Sequence, residues 1–367
     1  MSGLRVAFVV QGEGRGHMTQ ALALAAILDR AGHEVLEVLV GRSPHRPIPG
    51  YFLDGMAAPV RTFEAPAQVA DRTGEGLSVG RTVADAVRRT PAFFRSVVAI
   101  AERTAEADVV VNFLDLLGGL SRALFPTDVP AVAVAHNYVF LHPRLRGAPG
   151  PAAIREMVMT YARVTATGST RKLALSFDEL PDHEELALQV APPLLRPGLA
   201  ELEISSGDHL LAYALNPGYA DRLARWQRSR PDTPVHCYVE GGEAALTEEP
   251  EPGFHVHVLD QRPFLGHLAS CRAYVGSAGF ESICEAYYLG KAVLAVPTEG
   301  QFEQALNAWD AERCGAARWG TYEDLDAFWR SPPEPSADRV RAFRAWVDRG
   351  PEIFVGAVER AARVDEG

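Results

Sequence analysis

A histidine lies at the start of a helix that follows a glycine-rich turn near the amino terminus. The strand predicted over residues 6–10 leads into Gln11-Gly12-Glu13-Gly14-Arg15-Gly16-His17, and an Ala/Leu-rich helix follows to about Ala31. Glycines such as Gly14 and Gly16 let backbone N–H groups approach an anion at the helix N-terminus. An imidazole with an ordinary pKa of about 6.5 suits proton abstraction at neutral pH. His17 is therefore a candidate general base, with helix capping or support of another residue as the alternative.

The same turn only partly matches a dinucleotide-binding fingerprint. A GxGxxG pattern that starts at Gly12 needs glycine at position 17, where the chain has His17. Glu34 or Glu37 near the second predicted strand could still bind a ribose. NAD or FAD binding therefore stays an alternative.

A carboxylate follows the strand predicted over residues 109–112. Asp115 comes at the carboxyl end of that strand, where open α/β sheets bind ligands. It could orient the His17 ring through Nδ1 and stabilise the imidazolium. A loop or helix-capping role is the alternative for Asp115.

A second glycine-containing turn follows a strand that ends at Gly276. The segment reads Ser277-Ala278-Gly279-Phe280-Glu281-Ser282-Ile283-Cys284-Glu285, with a helix predicted to begin near Phe280. A diphosphate could bind the N–H groups and dipole at that helix start, with Ser277 and Ser282 adding hydroxyl donors. Further along, Glu303-Gln304 places two polar side chains side by side, which suits the binding of neighbouring sugar hydroxyls.

In their order along the chain, the motifs at 258–265, 277–286, 290–297 and 301–308 closely resemble the donor-binding half of GT-B glycosyltransferases, the UDP-glycosyltransferase and MurG-like families. Together with the Gly12 to Gln20 loop, the resemblance extends over most of the chain. It implies that Glu285 binds the donor ribose, and that Glu303 and Gln304 hold donor-sugar hydroxyls. Since the loop before Glu303 is longer than in plant-type enzymes, Gln301 competes for the sugar contact.

The resemblance also implies that the Asn216 loop closes on the diphosphate, although Asn-Pro-Gly is equally a good turn. The phosphate site departs from the family pattern at two positions. Many natural-product enzymes have a phosphate-binding histidine where this chain has Ser277, and an asparagine where it has Glu281. A weaker phosphate contact or another donor nucleotide could follow. The donor site implied in this way comprises Gly14, Gly16, Asn216, Ser277, Gly279, Phe280, Glu281, Ser282, Glu285, Gln301, Glu303 and Gln304.

The resemblance further implies the reaction. Retaining GT-B families resemble one another in two glutamates eight positions apart, whereas Glu281 and Glu285 are four apart, so we expect inversion. His17 would deprotonate an acceptor hydroxyl, Asp115 would stabilise the imidazolium, and neither a metal nor a cofactor is needed.

Metal binding by the DxD motif Asp324-Leu325-Asp326 is the less favoured interpretation, because the motif lies at the start of a predicted amphipathic helix. A UDP-sugar 2-epimerase and a non-catalytic nucleotide-sugar binder are the alternative functions.

The elements that position these residues are short apolar strands alternating with helices, which predicts an α/β fold with parallel sheets. The resemblance specifies GT-B, with two Rossmann-like doubly wound domains facing across a cleft. Prolines around Pro192 to Pro197 divide them. We expect an acceptor-binding domain over residues 1–197, a donor-binding domain over 198–335, and a helix pair over 338–364, broken at Gly350-Pro351, that packs back on the first.

Composition limits the partners. The chain has 367 residues and a net charge of −11, which argues against nucleic-acid binding. The four cysteines form no CxxC pair, and neither a signal peptide nor a membrane span is evident, so we expect a cytoplasmic location. The segment from about Arg46 to Pro91 is expected to contain long loops, and the stretch Arg88 to Arg95 could touch a membrane surface or a lipid-linked substrate. The expected partners are a nucleotide sugar and an acceptor that is a lipid, a saccharide or a small aglycone.

Overall fold

The computed structural model describes residues 3–42, 47–67, 79–214, 217–239 and 247–363. These residues form two compact units. The first contains the described residues up to Pro197 together with those from Trp346 onward, and the second contains those from Gly198 to Ala345. The division after Pro197 coincides with the proline-rich passage, whereas the second unit continues past residue 335.

The first unit is built on a seven-stranded sheet of parallel strands in the order β3-β2-β1-β4-β5-β6-β7. Side chains of its central strands are buried, because helices cover both faces of such a sheet. The strands are β1 Arg5–Val10, β2 Glu34–Arg42, β3 Val60–Glu64, β4 Val109–Phe113, β5 Ala131–Ala135, β6 Arg171–Leu175 and β7 Leu188–Ala191.

The second unit has its own seven-stranded sheet, in the order β10-β11-β9-β8-β12-β13-β14. Its strands are parallel except for the edge strand β10, which pairs antiparallel with β11. The strands are β8 Leu210–Ala214, β9 Val235–Val239, β10 Thr247–Glu251, β11 Phe254–Val258, β12 Ala273–Gly276, β13 Ala292–Ala295 and β14 Arg318–Trp319.

The α-helices connect and cover these strands. In chain order they are α1 Arg15–Arg30, α2 Gly50–Gly55, α3 Val79–Thr104, α4 Leu116–Leu124, α5 Ala152–Thr165, α6 Pro217–Arg228, α7 Gln261–Ser270, α8 Phe280–Tyr288, α9 Phe302–Cys314, α10 Leu325–Arg330, α11 Ala337–Asp348 and α12 Gly350–Arg363. The last two are the helix pair expected around Gly350-Pro351. Only α12 packs on the first unit as expected, where it contacts α1 and strands β4, β5 and β7, whereas α11 up to Ala345 belongs to the second unit.

Among the parallel strands of each sheet, the chain order reverses once. In the first unit β1 lies between β2 and β4, and in the second β8 lies between β9 and β12. At such a reversal the two connections leave in opposite directions, which opens a crevice beyond the carboxyl ends of the two strands. Each unit therefore has one topological position for a ligand.

The described part of the segment 46–91 is more regular than expected, whereas residues 68–78 lie outside the described residues, so the long loops stay a prediction there. The described part contains α2 and β3, and α3 begins at Val79 and continues through Pro91. Arg88 pairs with Asp85 at 2.8 Å, and Phe94 is exposed on α3. None of the described helices combines the length and apolar character needed to cross a bilayer. Membrane contact by this helix and a cytoplasmic location stay predictions.

Candidate functional site

The turn after β1 packs closely against the neighbouring strand. A Cβ at Gly12 would lie 1.8 Å from the carbonyl oxygen of Gly41, so only glycine fits there. The Gln11 amide donates to Phe113 at 3.2 Å, which ties the turn to the end of β4. Gly14 is the N-cap of α1 and Gly16 lies in its first turn. Because Gly14 has no side chain to cap the helix, the N-terminus of α1 is available to an anion.

His17 is buried in the first turn of α1. Its side chain is 8% exposed, and its Nδ1 lies 3.4 Å from Oε1 of Gln20, one turn along the same helix. Burial lowers the pKa of His17 to about 4, although the hydrogen bond with Gln20 opposes this shift. The imidazole is therefore neutral at pH 7. A carbonyl oxygen beside Nδ1 favours the tautomer with its proton on Nδ1 and its lone pair on Nε2.

Asp115 lies at the end of the adjacent strand, as expected, but its contacts differ from those predicted. It is the N-cap of α4, and its Oδ1 accepts from the Gly118 amide at 2.8 Å. Burial raises the pKa of Asp115 to about 7 in spite of this hydrogen bond. In the described chain, Asp115 makes no hydrogen bond with His17. The predicted orientation of the imidazole by Asp115 is thus absent, because the carboxylate caps a helix while Gln20 occupies Nδ1.

The loop between β4 and α4 is held by a buried asparagine. Asn112 donates through Nδ2 to the carbonyls of Asp115 at 3.0 Å and Thr165 at 2.8 Å, and its Oδ1 accepts from the Asp115 amide. Between them Leu114 has a positive φ of 56°. Such backbone strain persists only where surrounding contacts determine it, and it is common at ligand sites.

The turn after β12 in the second unit is built in a similar way. Ala278 has a φ of 56°, and its carbonyl accepts from Nδ2 of Asn307 at 3.1 Å. Gly279 is the N-cap of α8 and provides no capping side chain. Ser277 is buried beside it, and the Ser282 hydroxyl donates to the Gly279 carbonyl at 3.1 Å. Phe280 begins α8, as predicted. The result is a rigid turn with the amino end of a helix at the carboxyl edge of the sheet.

The two predicted acidic residues of α8 have different environments. Glu281 lies in the first turn and is partly exposed, whereas Glu285 is completely buried one turn further on. Burial raises the pKa of Cys284 well above its ordinary value, and the nearby charges of Glu281, Glu285 and Asp310 add to the effect. Glu285 is thus a buried carboxylate just inside the helix start.

The polar residues after β13 lie at the same sheet edge as the α8 turn, since β13 pairs with β12. Gln301 is the N-cap of α9, and Glu303 lies in its first turn. Gln304 accepts through Oε1 from the Thr298 amide at 2.7 Å, which fixes the preceding loop. The amide nitrogen of Gln304 keeps its donor capacity for another partner.

Two further candidates from the sequence lie outside these turns: Asn216 and the Asp324-Leu325-Asp326 motif. Asn216 lies outside the described residues, so its expected contact with a diphosphate stays a prediction. In the Asp324-Leu325-Asp326 motif, Asp324 accepts from the Thr321 amide at 2.8 Å within a capping box, and Asp326 pairs with Arg230 and Arg330. These contacts explain the motif by helix capping and ion pairing.

Three polar residues of the two turns were not identified as positioning residues from the sequence: Gln20, Asn112 and Asn307. Gln20 could have been found from its i, i+3 spacing to His17 on one helix face. Asn307 belongs to the motif at 301–308, but its contact with Ala278 joins residues 29 positions apart. A contact between residues so far apart in the sequence cannot be predicted from a local pattern.

Comparison with known proteins agrees with the two α/β sheets. The family model for glycosyl transferase family 1 matches residues 4–329. The chain belongs to glycosyl transferase family 1. Its members are glycosyltransferases, so this chain is an enzyme of that class. No curated protein has a sequence that matches the chain.

Solved glycosyltransferase structures share the fold of this family 1 chain. The calicheamicin glycosyltransferase CalG4 is 17% identical, with a TM-score of 0.62 and 98% of each chain covered. LpCGTa in complex with UDP is 16% identical, with a TM-score of 0.62 and coverage of 98% of this chain and 99% of the other. MurG of Acinetobacter baumannii is 16% identical, with a TM-score of 0.57 and coverage of 97% and 99%. The predicted GT-B class, with two α/β sheets, is confirmed.

Proposed function

We propose that this protein is an inverting glycosyltransferase that moves a sugar from a nucleoside diphosphate donor to an acceptor hydroxyl. The observation that carries the proposal is the turn after β12, where a strained Ala278 and the N-cap Gly279 present the start of α8 at the topological switch point. A helix start in this position suits a diphosphate. UDP is the favoured nucleotide because the sequence motifs resemble those of UDP-glycosyltransferases, and solved structures of similar fold hold UDP or thymidine diphosphate.

In this proposal the second unit binds the donor. The α8 N-terminus, with Ser277, Gly279, Phe280, Glu281 and Ser282, surrounds the diphosphate. Glu285 accepts from the ribose hydroxyls when the nucleotide reaches its buried carboxylate. Gln301, Glu303 and Gln304 bind the hydroxyls of the sugar, and Asn216 closes on the diphosphate. Gly14 and Gly16 add the N-terminus of α1 as a further anion site.

His17 acts as the general base in the first unit. Its Nε2 takes the proton of an acceptor hydroxyl, the freed oxygen attacks the anomeric carbon, and the bond from that carbon to the diphosphate breaks. Gln20 positions the ring through Nδ1, whereas Asp115 holds the neighbouring helix start. The negative charge that develops on the leaving diphosphate is stabilised by N–H groups of α8. The scheme needs neither a metal nor a cofactor, and the acceptor is a lipid, a saccharide or an aglycone.

A ligand screen followed by two variants tests the proposal. Thermal denaturation is measured with UDP, dTDP, GDP, CMP and NADH, because a ligand that binds only the folded state raises the melting temperature. We expect a selective rise with UDP. A rise with NADH alone would favour a dinucleotide enzyme, and no rise with any nucleotide would contradict donor binding.

The division of roles is tested by calorimetric titration with UDP. His17→Ala is expected to abolish transfer while UDP affinity stays within a few-fold of wild type, whereas Glu285→Ala is expected to weaken UDP binding. Equal losses of UDP affinity in both variants would contradict the assignment of base and donor site to different residues.

A further inference from the structure

The sheet of the second unit has two unlike faces. Alternate residues of β8, β9 and β11 form an apolar core that includes Leu210, Val235, Cys237 and Phe254. Because side chains alternate along a strand, the intervening residues point to the other face. That face carries His236 and Tyr238 of β9, His255 and His257 of β11, and His209 next to β8. His267 of α7 packs on it, with its ring 3.9 Å from that of His236.

Three of these imidazoles converge. Candidate ligand nitrogens of His236, His257 and His267 all lie within 4.8 Å of one another. Nδ1 of His236 is 2.9 Å from Nε2 of His257, so the two nitrogens share one proton. We name His236, His257 and His267 the histidine triad.

The triad is held in place by neighbouring groups. The Tyr238 hydroxyl lies 2.8 Å from Nδ1 of His267, which leaves Nε2 of that ring for another ligand. His209 contacts the backbone carbonyl of His267 at 3.1 Å and so ties α7 to the sheet. A hydrogen bond to the second nitrogen of an imidazole is the usual way in which proteins orient metal ligands.

Imidazole is a common metal ligand in proteins. A neutral imidazole nitrogen binds zinc and related ions well, and three such rings are present here.

We propose that the histidine triad binds one divalent transition metal ion of the zinc class. Zn–N distances of about 2.0–2.1 Å in a tetrahedral site require nitrogens about 3.4 Å apart. The nitrogens of His236 and His257 must therefore separate by a few tenths of an ångström. The ring of His267, which is stacked on that of His236 with 24° between their planes, must turn so that the lone pair of Nε2 points at the ion. When the ion binds between the two nitrogens, the ring that carried the shared proton changes tautomer and holds that proton on its other nitrogen. The ion then joins α7 to β9 and β11. Water completes the coordination, and the site is independent of the proposed sugar transfer.

Metal titration of the full-length protein tests this site. After dialysis against a chelator, Zn²⁺ is titrated by calorimetry, and Co²⁺ is titrated by visible absorption. We expect one equivalent of each metal to bind, with the intense d–d bands of low-coordinate Co²⁺. His236→Gln, His257→Gln and His267→Gln should each lower Zn²⁺ affinity more than tenfold. His183→Gln, which changes a histidine in the first unit, serves as the control. Loss of binding in the control alone, or unchanged affinity in all three triad variants, would overturn the proposal.

A measurement on the wild-type protein covers the case in which the triad variants fail to fold. X-ray absorption at the zinc edge of the loaded protein should show nitrogen ligands with the multiple scattering of imidazole rings. Scattering from sulfur, or the absence of imidazole scattering, would contradict the assignment to the triad. Tyr238→Phe should fold and bind Zn²⁺ about tenfold more weakly, because Nδ1 of His267 loses its partner.

Discussion

Asn307 of α9 donates through Nδ2 to the carbonyl of Ala278 at 3.1 Å, and this contact holds the turn before α8 in its left-handed conformation. In the first unit, Asn112 makes the equivalent contact with Asp115 next to Leu114, which has the same φ of 56°. Both turns follow the strand beside a topological switch point. A buried asparagine thus stabilises a strained turn at each expected ligand position.

Removal of the Asn307 amide is expected to destabilise the second unit. Asn307→Leu leaves the Ala278 carbonyl without its buried donor, which costs about 1–3 kcal/mol of unfolding free energy. UDP affinity should fall as well, because the turn loses its rigidity. Urea denaturation and calorimetry measure the two effects. A loss of stability with unchanged UDP affinity would show that Asn307 stabilises the fold but does not shape the donor site.

A side chain at Gly12 is expected to disrupt the first turn. In Gly12→Ala the new Cβ meets the Gly41 carbonyl at 1.8 Å, so the backbone must shift at a cost of about 3 kcal/mol. Gly147→Ala is the matched control, since a Cβ there has no neighbour within 4 Å among the described residues. The control should change stability by less than about 0.5 kcal/mol. Similar urea midpoints for both variants would contradict the close packing of Gly12.

The stability of the wild type should depend on the ionisation of Asp115. Its pKa is about 7 in the folded state and about 3.8 when unfolded, so the folded state binds the proton more tightly. Stability from this group is therefore present below about pH 4 and is lost as the pH rises to about 7. Asp115→Asn keeps an N-cap residue and removes the ionisation. We expect the variant to gain up to about 4 kcal/mol relative to wild type between pH 4 and 8.

The comparison is made by urea denaturation at pH 4, 5, 6, 7 and 8, about one unit apart across the range in which the carboxyl ionises. Other titrating groups change the stability of both proteins equally, so the difference between the two proteins isolates Asp115. A difference that is constant with pH would show that the Asp115 carboxyl has the same pKa in the folded and unfolded states.

Gln20 should control the basicity of His17. The Gln20 hydrogen bond raises the pKa of His17 against the effect of burial, so Gln20→Leu should lower that pKa further and reduce kcat about 10- to 100-fold. Gln20→Glu places a carboxylate beside Nδ1 and should move the acidic limb of the kcat profile to higher pH. UDP affinity should be unchanged in both variants. Identical pH profiles for wild type and Gln20→Glu would exclude Gln20 as the positioning residue.

Much of the fold and part of the site follow from local sequence patterns. The apolar runs that became β1, β4 and β12, and helices that begin near His17 and Phe280, were predictable because strand periodicity and glycine turns are encoded within a few residues. The order of several motifs along the chain also sufficed to predict the glycosyltransferase family. Five strands in the described part of the chain were not predicted: β3, β6, β7, β10 and β14. Strands β3 and β14 are short and partly exposed, and β10 is a short charged edge strand, so none of the three has an apolar run. Strands β6 and β7 are mostly buried, but each has only four or five residues and includes polar ones.

The tertiary structure alone decided the environment and the partners of the site residues. The sequence left two roles open for Asp115, contact with His17 and helix capping; packing made it a helix cap, and burial raised its pKa to about 7. The contact of Asn307 with Ala278 and the convergence of His236 with His267 likewise join distant positions. Such contacts depend on which strands become neighbours and which side chains lose water. Both are properties of the packed chain, whereas the sequence by itself determines where strands, turns and helices begin.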